Sequence, residues 1–172
     1  MSNAKIILRP FRQNDLDRLA SLANNLKISS KLTDQFPHPY TVDHAKSFIE
    51  RCTSAEPFNV LAIEVNSELA GAIGVHPQQD IFRSNAELGY WIAEPYWGQG
   101  VMSAAIKQML AYTFNNFDVN RVFARPFSNN PASQRVLEKN GFKKEAHLKG
   151  TILKNNEVLD ELIYAFRREM LE

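Results

Sequence analysis

Apolar residues recur along this chain with two periods, and the switch between them marks the elements. Residues 5–9 (KIILR) are short, apolar and β-branched, which predicts a strand that Pro10 ends. Leu16, Leu19, Ala20, Leu22 and Ala23 fall at three- and four-residue spacings, a helix with Asn14 or Asp15 as its cap. Residues 26–40 read as a loop. Its end, Phe36-Pro37-His38-Pro39-Tyr40, alternates Pro with large rings and is stiffened toward extended geometry. Ala45, Phe48, Ile49 and Cys52 stand at i, i+3, i+4 and i+7. They predict a second helix, capped by Thr41 or Asp43, with Cys52 on its buried face.

Residues 58–65 and 69–75 predict two strands across the hairpin-sized Asn66-Ser67-Glu68. A polar loop over 78–84 leads into a strand over 85–93 (NAELGYWIA), ended by Glu94-Pro95. Gly98-Gln99-Gly100 opens a helix reaching about Phe117, with Met102, Ala105, Ile106, Met109, Leu110 and Thr113 as its inner face. A strand over 119–125 follows. Pro131 starts a helix, with Val136 and Leu137 inward and Gly141 as its stop. Two long strands, 142–153 and 157–166, meet at Asn155-Asn156, a pair suited to a tight hairpin. Three consecutive strands combined with strand-helix-strand crossovers predict one mixed sheet with helices on both faces, an α+β (mixed α/β) arrangement in a single domain over 1–172.

Composition narrows the function classes. Lys and Arg number 20 against 19 Asp and Glu, a formal charge of +1. No basic surplus points to nucleic acid and no acidic block forms a solvating tail. The single cysteine excludes an internal disulfide and a Cys-rich metal site. His38, His44, His76 and His147 show no metal-ligand spacing, so no metal is expected. No apolar run approaches the ~20 residues of a membrane span, and the stretch 1–5 lacks a basic-then-apolar leader. The expectation is a cytoplasmic protein without a membrane partner. The Ser2-Asn3-Ala4 start carries no weight.

The most informative stretch is Glu87 to Ala105, ELGYWIAEPYWGQGVMSAA. A strand runs into two glycines spaced by one residue and then into a helix. Glycine permits a sharp turn and close backbone approach, and a helix's first N–H groups bind an anion such as pyrophosphate. A tight strand-to-helix turn alone explains the bare pattern equally well. Gly100-Val101-Met102 lacks the Lys-Ser/Thr of a phosphate loop, and the third Gly of a dinucleotide fingerprint is absent.

Trp97-Gly98-Gln99-Gly100-Val101-Met102 resembles the acyl-coenzyme A loop of the GNAT acetyltransferase superfamily, Arg or Gln, two residues, Gly, one residue, then Gly or Ala. Gly100 fills the signature's Gly, and Gly98 falls in its variable pair. Trp97 replaces the usual Arg or Gln, and Met102 a small residue, as in the ribosomal-protein N-acetyltransferase branch. Asn130-Pro131-Ala132-Ser133 with Val136 to Phe142 (VLEKNGF) resembles the family's Asn-x-x-Ser helix and its Glu-Lys-x-Gly-Phe ending. Leu8-Arg9-Pro10 and the loop from Phe36 to Thr41 are also similar to that branch.

The resemblance implies a GNAT-like fold with a mostly antiparallel sheet of about seven strands. It implies direct attack of an amine on acetyl-coenzyme A, the co-substrate. Protein N-termini are the first acceptor class. Small amines such as polyamines, amino acids or aminoglycosides are the alternative, and a coenzyme-sensing module without turnover is the rival of another class.

Site residues follow from the same resemblance. Glu87 is the general base; its structural alternative is a salt bridge. Trp91, Ile92 and Ala93 line the pantetheine by their backbone, with the Ile92 N–H a candidate oxyanion donor, while the Tyr90, Trp91 and Ile92 side chains belong to the core. Gly98, Gln99, Gly100, Val101, Met102 and Ser103 hold pyrophosphate by backbone N–H groups. The Tyr that many members carry four residues after Ser133 is Leu137 here. Ser133 therefore either donates to the leaving sulfur or caps its helix, and Asn130 either touches pantetheine or caps. His38 is a base, an acceptor-site contact or an exposed loop residue. Arg125, Arg135 and Lys139 are phosphate partners or plain surface charge. Cys52 is an inert core thiol. Sheet edges and the C-terminal hairpin leave room for a homodimer.

Overall fold

A computed structural model describes residues 4–171, so positions 1–3 of the N-terminal stretch lie outside the described residues. Seven strands form one sheet in the order β1-β2-β3-β4-β5-β7-β6. They are β1 (Ile6–Arg9), β2 (Val60–Val65), β3 (Glu68–Pro77), β4 (Asn85–Ile92), β5 (Arg121–Ala124), β6 (Lys143–Lys154) and β7 (Glu157–Arg167). The helices are α1 (Leu16–Ala23), α2 (Leu26–Ser29), α3 (Val42–Cys52), α4 (Val101–Asn116) and α5 (Pro131–Lys139). The sheet is mixed: β4 and β5 run parallel, and the pairs β1–β2, β2–β3, β5–β7 and β6–β7 are antiparallel. The expected element order holds. The loop expected over 26–40 is shorter than read, because Asn25 accepts from the Lys27 N–H and caps one helical turn, α2.

The chain forms two compact units, each drawn from two segments. The first takes the described residues up to Gly74 and Tyr90–Met109. Its core gathers Leu19, Ala23, Ile28, Tyr40, Ala45, Ile49 and Cys52 with Ala72, Trp91 and Ala93. The α1 and α3 stripes point here, and Thr41 caps α3 by accepting from the His44 N–H. Cys52 is buried, and burial pushes its thiol up to about 12. Asp15 was expected to cap α1 but makes no cap bond to that helix. Its carboxylate instead takes a two-point hydrogen bond from the buried Arg9 guanidinium, at 2.8 Å each, plus the Arg12 N–H. Arg9 Nε also donates to Glu64, so one guanidinium satisfies two buried carboxylates. In the same unit, Gln108 of α4 bonds both the Leu8 N–H and the Ile6 carbonyl of β1.

The second unit takes Val75–Gly89 and the described residues from Leu110. Leu137 of α5 packs inward and Val136 is half-buried. Phe142 and Phe114 each lie against Phe166, with ring centroids 5.6 and 6.3 Å apart. Asn155 and Asn156 both take positive φ, the conformation a two-residue hairpin requires and Asn tolerates. Arg168 closes this unit by donating to the Phe114, Phe117 and Val119 carbonyls over the Phe114 ring.

Candidate active site

Strand β4 links the two sets of expected site residues. Its buried positions run Ala86, Leu88, then Trp91, followed by Ala93. The two-residue alternation slips by one across Gly89-Tyr90, as an extra residue in a strand makes it do. β4 pairs in parallel with β5 over Asn85–Glu87, where Glu87 meets Phe123, and runs on to Ile92.

In the first unit, β4 ends on Trp91-Ile92-Ala93 and turns through Glu94-Pro95-Tyr96 into Trp97-Gly98-Gln99-Gly100 and α4. Gly71 of β3 passes directly under this end. A Cβ at position 71 would lie 2.3 Å from the Trp91 carbonyl oxygen and 2.9 Å from Ile92 Cα, so only glycine fits. The Trp91 ring is buried against Phe36, centroids 5.7 Å apart, consistent with a core role for that side chain. Gly98 and Gly100 take φ of +73° and +77°, and a Cβ built on either meets nothing within 4 Å. Backbone conformation, not crowding, demands glycine there, and the space over the loop is open. The first α4 ladder bond runs from the Ala104 N–H to the Gly100 carbonyl, so the N–H groups of residues 100–103 precede the ladder. Glycines that leave open space beside a helix start fit a coenzyme pyrophosphate. Asn25 and Lys27 both donate to Glu94 just before the loop. These bonds hold the Glu94 carboxyl below its usual range, Lys27 foremost.

In the second unit, Glu87 is half-buried, its carboxylate 4.0 Å from the Arg125 guanidinium. Arg125 also donates through Nε to Glu161 of β7, whose side chain is only 6% exposed and which accepts from the Thr151 hydroxyl as well. That bond to Glu161 raises the Arg125 pKa further, against its own desolvation. Arg125 is thus a partner of carboxylates. The neighbouring layer repeats the pattern: Arg121 donates to Asn85 and to Glu145, which also accepts from Arg167. Sequence reading missed Glu161 because its partner lies 36 residues away.

Asn130 caps α5, its Oδ1 accepting from the Ser133 N–H at 3.3 Å. Of the two alternatives weighed for Asn130, contact or cap, the cap is present. Leu137, in the missing Tyr's position, is fully buried. The phenol of Tyr164 does not supply the missing acid. It is buried, its hydroxyl donates to Glu138 on α5, and burial pushes its pKa up to about 12. His38 is exposed. Among the described residues no cluster of three His, Cys, Asp or Glu side chains is placed to hold a metal, and no helix is long and apolar enough to cross a membrane.

The family model of the acetyltransferase (GNAT) domain matches residues 5–143, most of the chain. The chain belongs to the GNAT family of acetyltransferases. It is 27% identical over 172 residues to the uncharacterized N-acetyltransferase YoaA of Bacillus subtilis, covering 94% of this chain and 92% of that one. It is 31% identical over 98 residues to the ribosomal-protein-serine acetyltransferase of Escherichia coli, 57% of this chain and 54% of that one. Among solved structures it superposes on the spermidine N-acetyltransferase of Vibrio cholerae, in complex with CoA and spermine, with a TM-score of 0.81. That similarity, at 21% identity over 96% of this chain and 97% of the other, is one of fold. This GNAT enzyme carries Glu161 and Thr151 beyond the matched residues, on the β6–β7 hairpin.

Proposed function

We propose that this GNAT enzyme transfers the acetyl group of acetyl-CoA to a protein N-terminal α-amine by direct attack on the thioester. The observation that carries the reading is the open loop with positive-φ glycines at the head of α4, continuous with the strand that bears Glu87. The pyrophosphate sits on the N–H groups at residues 99–103, and the β4 end at 91–93 lines the pantetheine arm. The Ile92 N–H donates to the oxygen that gains charge as the amine adds. The Ala93 N–H already donates to Ala70 at 2.8 Å and its carbonyl accepts from the Tyr96 N–H, so Ala93 meets the arm without a free N–H.

An α-amine has a pKa of about 8 and is largely protonated at neutral pH. Glu87 takes that proton, directly or through a water. Arg125, 4.0 Å from the Glu87 carboxylate, orients it. Ser133 donates its hydroxyl to the departing sulfur; Asn130 holds the helix start by accepting from the Ser133 N–H and reaches the arm only with the remainder of its carboxamide.

The resemblance to the ribosomal-protein-serine acetyltransferase supports the α-amine acceptor. Similarity of fold to a spermidine acetyltransferase keeps a small polyamine as the second reading. Thiol release from acetyl-CoA against peptides with different N-termini and against small amines separates them. Turnover with one peptide class supports the first, and turnover with small amines alone supports the second. Tight coenzyme binding with no turnover in either panel overturns the catalytic reading in favour of a sensing module.

A further inference from the structure

Trp97 stands where the GNAT loop signature has Arg or Gln, and its bonding differs from that of a phosphate ligand. Its indole Nε1–H donates to the Ile92 carbonyl oxygen at 2.8 Å. The other end of that same peptide unit, the Ala93 N–H, donates to Ala70 at 2.8 Å. One peptide plane at the end of β4 is therefore held from both sides. The preceding peptide, whose N–H belongs to Ile92, lies over Gly71 with no room for even a methyl group. The turn between the strand and Trp97 is closed by its own bonds, Tyr96 N–H to Ala93 and Trp97 N–H to Glu94. The Gln99 side chain closes the next step by donating to the Pro95 carbonyl at 2.6 Å. The two side chains in the loop that carry N–H donors are thus both turned onto its own backbone.

We infer that Trp97 is a positioning residue: its indole N–H locks the end of β4 to the glycine loop and so fixes the Ile92 N–H where the thioester oxygen must sit, while making no contact with phosphate. This rests on the acetyl-CoA reading above and deepens it. Trp97 is 44% exposed, so burial alone does not fix its ring. The hydrogen bond is the feature a phenylalanine cannot reproduce. Loss of one such bond moves the reacting geometry more than it moves the binding of the distant phosphates.

The test is Trp97→Phe with three readouts. In the wild-type protein, the Trp97 indole N–H resonance, one of only two in the chain, is protected from solvent exchange despite the exposed ring. In the variant, kcat falls by roughly three- to tenfold. Affinity for adenosine 3′,5′-bisphosphate, the coenzyme fragment without phosphopantetheine, stays within about twofold and also reports that the site is folded. Unprotected exchange, an unchanged kcat, or a loss of bisphosphate affinity that matches the loss of rate would each overturn the inference. A wild-type protein that binds the bisphosphate but neither binds nor cleaves acetyl-CoA would overturn the functional reading itself, while a protected indole would still stand.

Discussion

The guanidinium of Arg125 lies between two carboxylates, bonded to the buried Glu161 and 4.0 Å from the half-buried Glu87. The base of the proposed reaction is therefore not an isolated acid on a strand. It belongs to a cross-strand polar layer in which β4, the end of β5 and β7 each supply one charge.

Arg125→Ala strands the Glu161 carboxylate with the Thr151 hydroxyl alone. A buried charge without its partner costs far more than the pair contributed. Unfolding in urea should show a loss of about 2–3 kcal/mol. Adding Glu161→Gln to that variant should restore most of it, because no orphaned charge remains. The double variant should still turn over more slowly than wild type, through kcat more than KM, since Glu87 has lost its cation.

Asp15 carries the clearest pH signature. Burial pushes its carboxyl up, but the bonds from Arg9 and from the Arg12 N–H outweigh it and hold the folded pKa below 3.8. A carboxylate with a depressed folded pKa contributes fully above its unfolded value and loses that contribution as pH falls through the folded one. Stability should therefore drop below a pH of about 4. Asp15→Asn should cost on the order of 3 kcal/mol at neutral pH and flatten that part of the acid-unfolding curve. Circular dichroism against pH for both proteins checks it.

Gly100→Val and Gly71→Ala should fail for different reasons. Valine at 100 must adopt a φ of +77°, so the loop refolds locally and acetyl-CoA affinity falls by about a hundredfold or more with modest loss of overall stability. Alanine at 71 drives a methyl into the Trp91 carbonyl, so both stability and coenzyme affinity fall together. Calorimetry with CoA, paired with thermal melts, separates the two.

Ser133→Ala and Asn130→Ala divide catalysis from capping. Asn130→Ala should lower stability by about 1 kcal/mol through loss of the α5 cap. Ser133→Ala leaves the Asn130 cap in place and should reduce kcat.

Cys52 should resist alkylation in the native state at pH 8, because burial lifts its thiol to about 12. Cys52→Ala should retain acetyl transfer. Labelling followed by mass spectrometry reads the first, and thiol release the second.

The fold was legible where the chain repeats a period or announces a turn. The stripes of α1 and α3, the Asn155-Asn156 hairpin and the glycine pair before α4 each state their geometry locally. The short α2 was not legible, since four residues give no period and only the Asn25 cap marks it. The site was half legible. Glycines, Glu87 and the Asn130–Ser133 helix start are local signals. The partners that give them their chemistry are distant: Glu161 lies 36 residues from Arg125, and Gly71 lies 20 residues before the strand end it supports. Trp97 was visible as a departure from the usual cation, but only the fold aims its N–H at the Ile92 carbonyl.

The most direct test of the account is the rate of thiol release from acetyl-CoA against pH, with an accepted peptide amine, for wild type and Glu87→Gln. The account predicts a defect of roughly a hundredfold at neutral pH that shrinks as pH rises past the pKa of the amine, which then needs no base. Superimposable profiles for the two proteins would remove Glu87 as the base and leave its bond to Arg125 as structure alone.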